Sequence, residues 1–270
     1  MIPVALTIAG SDCTGGAGIQ ADLKTFAAHG VYGESVITSV VAENTCQVFS
    51  RQDISPEMVT AQLDAVYRDI PPDAVKLGML PTVQVVEAVA DWLAAHPGRP
   101  VVTDPVLVAT SGDDLVDRKA LETIQTRLLP LTDVLTPNLP EAEALTGIAV
   151  NDEVSMKAAA AILCNQGAKA VLVKGGHLSG EALDILCDGK EYYRFSTPRI
   201  PTRCTHGTGC TLSSAIAANL ALGKPLVEAV RLAKEYLQEA IRQGTPLGKG
   251  HGPTHHMHPY YRWDTNLSKK

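Results

Sequence analysis

No block of basic residues and no long apolar run occurs in this sequence. Its 23 lysines and arginines are outnumbered by 29 aspartates and glutamates, which gives a formal net charge of −6. A general role in binding nucleic acid or a membrane surface is therefore disfavoured, although a local basic site could hold a phosphate. An apolar stretch of about 18 residues is missing, so no membrane-spanning helix is predicted. The first residues lack a charged leader followed by an apolar run, and we expect no signal peptide.

The six cysteines form no Cys-x-x-Cys pair and are spread along the chain. A disulfide framework is therefore not expected, and the pattern favours a reduced, cytoplasmic protein. No linker rich in proline, glycine or serine divides the sequence, and no internal repeat is found. Residues 1–270 are expected to form one domain of ordinary globular composition, 45% hydrophobic and 19% charged.

Short apolar runs alternate with amphipathic segments along most of the chain. The runs predict buried strands, and the amphipathic segments predict helices. Strands are predicted at Val4–Ala9, Ser35–Ala42, Ala74–Leu77, Pro100–Thr103, Asp133–Leu135, Ala170–Val173, Ala182–Cys187 and Tyr192–Phe195. Helices are predicted from Ile19, from Pro56, at Thr82–Trp92, around 121–128, at Glu141–Leu145, at Val154–Gln166, at Cys210–Leu222 and at Pro225–Arg242. This alternation is typical of an α/β domain with a mostly parallel sheet covered on both faces.

Ligands of such sheets bind outside the carboxyl ends of the strands. The polar segments that follow the predicted strands are therefore the candidate site. They are Gly10–Asp22, Glu43–Asn44, Met79, Asp104, Asn138–Glu141, Lys174 and Thr205–Cys210.

Glycines flank the start of one predicted helix, in the segment Gly207-Thr208-Gly209-Cys210. Glycine lets the backbone approach a ligand closely, and the free N–H groups at a helix start favour an anion. We therefore predict that this loop holds a phosphoryl group during its transfer. The segment lacks Walker A spacing, and Gly15-Gly16-Ala17-Gly18 does not match a dinucleotide fingerprint. An ordinary glycine-rich helix start is the alternative interpretation.

Two side chains are candidates for the base that takes a proton from a substrate hydroxyl. Cys210 falls in the first helical turn, where its thiol pKa is expected below the free value of about 8.5. Asp22 lies one helical turn past Gly18, near the expected substrate position. A small buried cysteine and a solvent-facing or capping carboxylate are the alternative interpretations of these two residues.

Long motifs in a fixed order connect the sequence with a known family. They are Ala9–Asp12, Gly15–Thr25, Thr136–Ala142, Lys174–His177, Thr205–Thr211 and the tail Gly250–His256. On these segments, residues 4–258 resemble the hydroxymethylpyrimidine/phosphomethylpyrimidine kinases of thiamine biosynthesis. The resemblance implies the ribokinase-like fold, a three-layer αβα sandwich. It also implies that ATP phosphorylates 4-amino-5-hydroxymethyl-2-methylpyrimidine to its monophosphate and then to the diphosphate.

The resemblance implies roles for particular residues. Those expected around the transferred phosphoryl group are Gly207, Thr208, Gly209 and Cys210. Those expected on ATP are Asp104, Asn138, Glu141, Lys174 and Thr208, with Glu141 holding Mg²⁺ through water, because Mg²⁺ prefers oxygen ligands and retained waters. Those expected around the pyrimidine are Gly10, Asp22, Glu43, Met79, Val106 and Cys210. A homodimer is implied, and a monovalent activating cation stays open.

Two segments depart from the family pattern. Glu43 stands where these kinases usually carry glutamine, which both donates and accepts hydrogen bonds, whereas an ionised glutamate only accepts. A phenolic pyridine such as pyridoxine could donate to Glu43, which keeps a vitamin B6 kinase as the alternative function. Ala109–Gly112 lacks the lysine common at Thr110 and the lid cysteine of some pyridoxal kinases, but could fold over the site as a flap.

Other interpretations compete with an enzyme. A histidine cluster near the end of the chain could bind zinc; its members are His251, His255, His256 and His258. A non-catalytic pyrimidine-binding protein would keep the pyrimidine pocket without the phosphate apparatus. Taken without the resemblance, Glu141 would be a first-turn helix acid, Lys174 a surface lysine and Met79 a core residue. The joint presence of the glycine loop and these polar residues favours the enzyme.

Overall fold

A nine-stranded sheet forms the centre of the computed structural model, which describes residues 2–107, 118–176 and 180–263. The strands are β1 (Val4–Asp12), β2 (Tyr32–Glu43), β3 (Val48–Asp53), β4 (Ala74–Leu77), β5 (Val101–Thr103), β6 (Val134–Leu135), β7 (Val171–Gly175), β8 (Ala182–Cys187) and β9 (Tyr192–Thr197). Their order is β3-β2-β1-β4-β5-β6-β7-β8-β9. The neighbours from β2 through β7 pair in parallel, which confirms the predicted mostly parallel sheet.

Helices cover both faces of this sheet. They are α1 (Gly18–Ala28), α2 (Pro56–Asp69), α3 (Val83–Ala95), α4 (Arg118–Thr123), α5 (Leu139–Thr146), α6 (Glu153–Asn165), α7 (Thr208–Ala221) and α8 (Leu226–Arg242). Adjacent residues of β1 show the two faces, because Ala5 packs with residues of α7 and α8 whereas Leu6 packs with residues of α2 and α3. Side chains alternate along a strand, so burial on both faces explains the continuous apolar run Val4–Ala9.

The sheet edge and one helix differ from the prediction. Strand β3 was not predicted, because it is a mostly exposed edge strand without a regular apolar pattern, paired antiparallel with β2. The helix expected around 121–128 continues from α4 as a π-helical turn, Ile124–Leu128, and a 3₁₀ turn, Leu129–Leu131. The predicted antiparallel pair is confirmed as β8 and β9. The predicted flap Ala109–Gly112 and His177 lie outside the described residues.

Helix α7 carries the predicted phosphate loop to the sheet. Its buried face is rich in alanine, and it contacts β1, β4 and β5 on one side and α1 and α8 on others. The small side chains allow this close approach, which brings the start of α7 to the carboxyl ends of the parallel strands. Within the described ranges, no helix has the length and apolar character needed to cross a membrane.

Candidate active site

Two glycine loops meet at the start of α7. Gly207 precedes the helix with a positive φ of 77°, and a side chain there would collide with the carbonyl oxygen of Gly16. Thr211 N donates to Gly207 O at 2.9 Å, while His206 N donates to Gly252 O at 3.0 Å. The first N–H groups of α7 have no acceptor within the helix. The junction therefore fixes a set of amide donors at the expected phosphate position.

An ion pair faces this helix start. Lys174 Nζ lies 2.7 Å from Asp104 Oδ1, which also accepts from Thr136 Oγ1 at 3.0 Å. A Cβ placed on Gly209 would lie 3.2 Å from Asp104 Oδ2 and 3.4 Å from Lys174 Nζ. Burial lowers the pKa of Lys174, but Asp104 and Glu141 raise it by more. Lys174 therefore presents a positive charge beside the amides of α7.

Asn138 and Glu141 form a capping box at the start of α5. Asn138 Oδ1 accepts from Glu141 N at 2.9 Å, and Glu141 Oε2 accepts from Asn138 N at 2.8 Å. The backbone of Asn138 also pairs with that of Lys174 in an isolated parallel β-bridge, which brings this helix start to the same site. Burial raises the pKa of Glu141 to about 7, with Lys174 opposing and Asp104 adding to the shift. Glu141 is thus both a helix cap and a buried acid at the site.

A groove of about 240 Å³ extends from these residues between β8, the segment after β9, α7 and α8. Its polar end includes Asn138, Lys174 and Thr208. Its walls farther along include apolar side chains: Pro198, Ile200, Leu212, Leu237 and Ile241. The amphipathic pattern of residues 225–242 predicted the helix but not this wall, because an apolar stripe has the same period whether it faces a core or a groove.

Asp22 lies beneath the site rather than in it. Its Oδ1 accepts from Ser214 Oγ at 2.6 Å, and its Oδ2 accepts from Thr7 Oγ1 at 2.6 Å and Lys76 Nζ at 2.8 Å. Asp22 has no accessible surface, so neither oxygen reaches a substrate in this arrangement. The expected direct contact with substrate, and the role of Asp22 as base, are therefore not supported by its position.

Cys210 is half-buried in the first turn of α7, close enough to Gly18 N for a hydrogen bond. Burial raises the pKa of its thiol to about 11, with Lys76 opposing and Asp22 and Asp104 adding to the rise. The expectation of a lowered pKa was wrong, because desolvation of the thiolate and two nearby carboxylates outweigh the helix terminus and Lys76. Cys210 is a neutral thiol at neutral pH.

Apart from Asp22 and Cys210, the residues expected around the pyrimidine lie in two groups. Gly10 and Met79 are in contact, since a side chain on Gly10 would overlap Met79 Cε. Thr38 Oγ1 donates to Met79 O at 2.7 Å, which fixes the backbone there. Val106 is half-buried just beyond β5, and its N–H donates to Asp104 O at 2.9 Å. Glu43 belongs to the second group, with Asp12 and His206.

Asp12, Glu43 and His206 bring acid and imidazole atoms within 4.8 Å of one another. Burial would raise the pKa of Asp12, but hydrogen bonds from His206 at 2.8 Å and Ala17 N at 2.7 Å hold it well below its usual range. Burial and then Asp12 raise the pKa of Glu43 to about 7. Asp12 and His206 belong to two separate motifs, and their contact could not be predicted because they lie far apart in sequence.

The C-terminal histidines have separate partners and do not converge on a metal site. His256 Nε2 lies 3.1 Å from Thr211 Oγ1, and burial lowers the pKa of His256 to about 3. The His255 ring stacks on Trp263, with centroids 4.1 Å apart, and His258 packs against Tyr236. Among the described residues, the group of potential metal ligands is instead Asp12, Glu43 and His206. The histidine tail supports the loop before α7.

Comparison with known proteins gives a consistent result over nearly the whole chain. A family model described as phosphomethylpyrimidine kinase matches residues 12–255. Hydroxymethylpyrimidine/phosphomethylpyrimidine kinase of Rhizobium meliloti is 52% identical over 266 residues, 97% of this chain and 100% of that protein. Thiamine biosynthesis bifunctional protein ThiED of Geobacter sulfurreducens is 52% identical over 93% of this chain, which spans about half of that protein (52%).

Solved structures share the fold. Phosphomethylpyrimidine kinase from Clostridium difficile superposes with a TM-score of 0.80 at 44% identity, covering 88% of this chain and 99% of that chain. An ADP complex of Bacillus subtilis pyridoxal kinase superposes with a TM-score of 0.88 at 38% identity, covering 95% of this chain and 98% of that chain. The chain therefore shares its overall fold with a phosphomethylpyrimidine kinase and with a pyridoxal kinase.

Proposed function

Because the chain belongs to the phosphomethylpyrimidine kinase family, we propose that it uses ATP to phosphorylate 4-amino-5-hydroxymethyl-2-methylpyrimidine and then the resulting monophosphate. In the first step the hydroxyl oxygen attacks the γ-phosphorus, and the bond from that phosphorus to the bridging oxygen of ADP breaks. The observation that carries the proposal is the close approach of Gly209, at the start of α7, to the Lys174–Asp104 pair. Fixed amides and a lysine stabilise negative charge that moves during phosphoryl transfer.

The groove supplies the proposed nucleotide site. Its apolar walls, which include Ile200, Leu237 and Ile241, suit the adenine ring, and its polar end suits the phosphates. The residues proposed to contact the ATP phosphates, directly or through the metal ion, are Asp104, Asn138, Glu141, Lys174 and Thr208. This direction of binding points the γ-phosphate toward Gly207–Cys210.

Asn138 and Glu141 are the residues proposed to organise Mg²⁺, with Glu141 acting through water. The fit rests on the buried carboxyl of Glu141, whose pKa burial raises to about 7, because a cation beside it would offset the cost of burying its charged form. When bound, Mg²⁺ supplies positive charge that stabilises the phosphates. Lys174 and the α7 amides orient the same phosphates from the protein side.

The pyrimidine is proposed to bind against Gly10, Met79 and Val106. The thioether of Met79 suits the face of an aromatic ring. It fits beside Gly10 only because Gly10 has no side chain. Asp22 is proposed as a positioning residue, because it holds Lys76 and Ser214 by direct hydrogen bonds. Its influence on the substrate then passes through these partners and Cys210.

Glu43 is proposed to contact the polar edge of the pyrimidine. Because its pKa is raised to about 7, a large fraction of Glu43 keeps its proton at neutral pH. A neutral carboxyl group both donates and accepts hydrogen bonds, as a glutamine amide does. Glu43 can therefore replace glutamine in its protonated form without leaving a hydrogen bond unmade.

Cys210 is proposed to lie against the reacting hydroxymethyl group and to take its proton as the thiolate. The thiol pKa of about 11 makes this form scarce at neutral pH, so positioning and charge stabilisation carry most of the catalysis. The second step needs no such base, because its nucleophile is an anionic phosphate oxygen. Gly207, Thr208 and Gly209 serve both steps through the α7 amides.

A vitamin B6 kinase is the alternative function, favoured by the TM-score of 0.88 with a pyridoxal kinase. ATP consumption measured with hydroxymethylpyrimidine, with its monophosphate and with pyridoxine separates the two. We expect both pyrimidines to be phosphorylated, each with a higher kcat/KM than pyridoxine. Turnover of pyridoxine alone would reverse the assignment, and absence of turnover with all three would favour a non-catalytic binding protein.

The assembly and location follow as part of the same proposal. We propose a single kinase domain over residues 1–270 that works in the cytoplasm as a homodimer, without nucleic acid or membrane partners. The net charge of −6 agrees with the absence of nucleic-acid binding. Light scattering of the purified chain tests the dimer, and a monomeric mass at assay concentration would contradict it.

A further inference from the structure

A second cavity lies at the opposite end of the sheet from the proposed kinase site. It has a volume of about 350 Å³ and lies between the start of β2 and the end of α2. Its lining residues are Tyr32, Gly33, Glu34, Ser35, Ala65, Val66, Asp69 and Ile70. The start of β2 is the amino end of a parallel strand, whereas the kinase site lies at carboxyl ends. The proposed reaction uses none of these residues.

Glu34 is a buried carboxyl in this cavity. The residue is only 7% exposed, and its Oε2 accepts no hydrogen bond from any of the described residues. A buried polar atom of this kind is costly unless a proton or a ligand compensates for it. Burial, and then the charge of Asp69, raise the pKa of Glu34 to about 7. A positively charged ligand would therefore stabilise the ionised form of Glu34.

The surrounding charges leave the cavity negative. Asp69 is the last residue of α2, and the carboxyl end of a helix carries partial negative charge. No lysine, arginine or histidine is among the described lining residues. Two arginines, one on α2 and one before β5, have other partners: Arg68 pairs with Asp64 at 3.3 Å, and Arg99 donates to the carbonyl of Pro72 at 2.6 Å.

Other groups near the start of β2 do not offset this charge. Asp73, beyond α2, accepts from Val4 N at 2.9 Å and is one more acid. Gly33 packs against Leu23 and Phe26 of α1, which are apolar. Tyr32 lines the cavity with an aromatic side chain that is 54% exposed. None of the described residues that line the cavity from β2 and α2 carries a basic side chain.

The lining indicates the kind of cation. Ca²⁺ takes about 6–8 oxygen ligands, more than two carboxylates and a few carbonyls supply. Ala65, Val66 and Ile70 instead offer apolar surface beside the acids, and Tyr32 offers an aromatic face. We propose that this cavity binds a small primary amine, with its ammonium group on Glu34 and Asp69 and its alkyl chain against Ala65, Val66 and Ile70.

The proposal gives a defined pH dependence. Folded Glu34 keeps its proton up to a pH of about 7, whereas its unfolded value is 4.5, so the folded state binds more protons between these values. The stability contribution of Glu34 is therefore present below pH 4.5 and is lost as the pH rises through 7. An amine that binds ionised Glu34 restores stability above that pH, because it binds the folded state only.

Thermal unfolding of the full chain with n-butylammonium chloride tests the site. For a dissociation constant of about 1 mM, n-butylammonium at about 20–50 mM would occupy most of the sites. We expect these concentrations to raise the unfolding midpoint more at pH 8 than at pH 6. Equal concentrations of NaCl, CaCl₂ and n-butanol serve as controls for ionic strength, a divalent ion and the alkyl chain. Glu34→Gln should abolish the amine response and raise the midpoint at pH 8, with the rate of ATP turnover unchanged as proof of folding.

Several results would overturn the proposal. They are an equal amine response in Glu34→Gln and the parent protein, a response to CaCl₂ as large as that to the amine, and no amine response at pH 8. Asp69→Asn provides a second variant on a different element and should weaken the amine response without abolishing it.

A lysine of a second copy could supply the same ammonium group. A change of mass by light scattering in Glu34→Gln would assign the cavity to that contact instead and refute binding of a free amine.

Discussion

Single residues at the proposed site are governed by burial as much as by their neighbours. Cys210 lies at a helix start and near Lys76, yet burial and two acids raise its thiol pKa to about 11. Glu43 shows the same effect on a carboxyl group, where burial and Asp12 raise the pKa to about 7. At neutral pH the Cys210 thiol is therefore protonated, whereas Glu43 is divided between its neutral and ionised forms, and this decides what each can do to a substrate.

Replacing Cys210 should separate the two phosphorylation steps. We expect Cys210→Ser to lower kcat for the hydroxymethyl compound by roughly 100-fold, in the range of general-base effects, and kcat for the monophosphate much less. Steady-state kinetics with each substrate measures both values. The exposed Cys46 offers a matched control, since Cys46→Ser should change neither rate. Comparable losses in the two steps would remove the assigned role of Cys210.

Glu43 should make pyrimidine binding depend on pH. Above pH 7 Glu43 loses its proton and can only accept, so one hydrogen bond to the ring edge is lost, worth about 1–3 kcal/mol. We expect KM for the hydroxymethyl compound to rise between pH 6 and 8.5 in the parent protein but to stay level in Glu43→Gln. A parallel rise of KM in both proteins would show that Glu43 does not bind the polar edge of the pyrimidine ring.

At the scale of elements, α7 depends on the contact between two glycine loops. Gly207 adopts a positive φ and leaves no room for a side chain against Gly16 O. At the other end of α7, Gly223 also has a positive φ, but open space surrounds its missing side chain. The two glycines therefore separate backbone strain from the loop contact itself.

Gly207→Ala should destabilise the fold and stop the reaction. We expect Gly223→Ala to cost about 1 kcal/mol of unfolding free energy from strain alone, with activity kept. Gly207→Ala should cost more than that and lower kcat with both substrates, because the α7 amides move. Urea unfolding and ATP turnover measure the two effects. Full activity in Gly207→Ala would mean that the loop contact does not position the amides.

The elements also show how far sequence alone reaches. The strands of the parallel centre and the helices α1, α3, α6 and α8 follow from apolar periodicity, because burial on both faces imposes it. Edge strand β3 carries no such pattern, since few of its side chains are buried. The motifs identified the loops that form the site. They did not predict the contact of Asp12 with Glu43 and His206, or the burial that raises the thiol pKa of Cys210 instead of lowering it. Both depend on packing between segments that are distant in sequence.

At the scale of the whole molecule, a buried ion pair beneath the site connects elements from distant parts of the chain. Asp22 on α1 and Lys76 on β4 are fully buried, with 2.8 Å between Oδ2 and Nζ, and Ser214 of α7 and Thr7 of β1 complete the network. Burial lowers the pKa of Lys76, but Asp22 and two other acidic groups raise it by more. Four elements of the fold therefore depend on one carboxylate.

Removing that carboxylate should destabilise the whole protein. We expect Asp22→Asn to reduce the free energy of unfolding by about 3–5 kcal/mol, because Lys76 would keep a buried charge without its partner. Asp91, which pairs with Arg127 on the surface, offers a control: Asp91→Asn should cost about 1 kcal/mol or less. Urea unfolding compares the two. Equal small losses would show that Lys76 finds another partner.

A crystal structure with a non-hydrolysable ATP analogue, Mg²⁺ and the hydroxymethylpyrimidine would locate every group of the proposed phosphoryl transfer. We expect the terminal phosphate between Lys174 Nζ and the amides of Gly209 and Cys210, with the hydroxymethyl oxygen beside the Cys210 thiol. A nucleotide bound outside the groove, with its phosphates away from the start of α7, would contradict this arrangement.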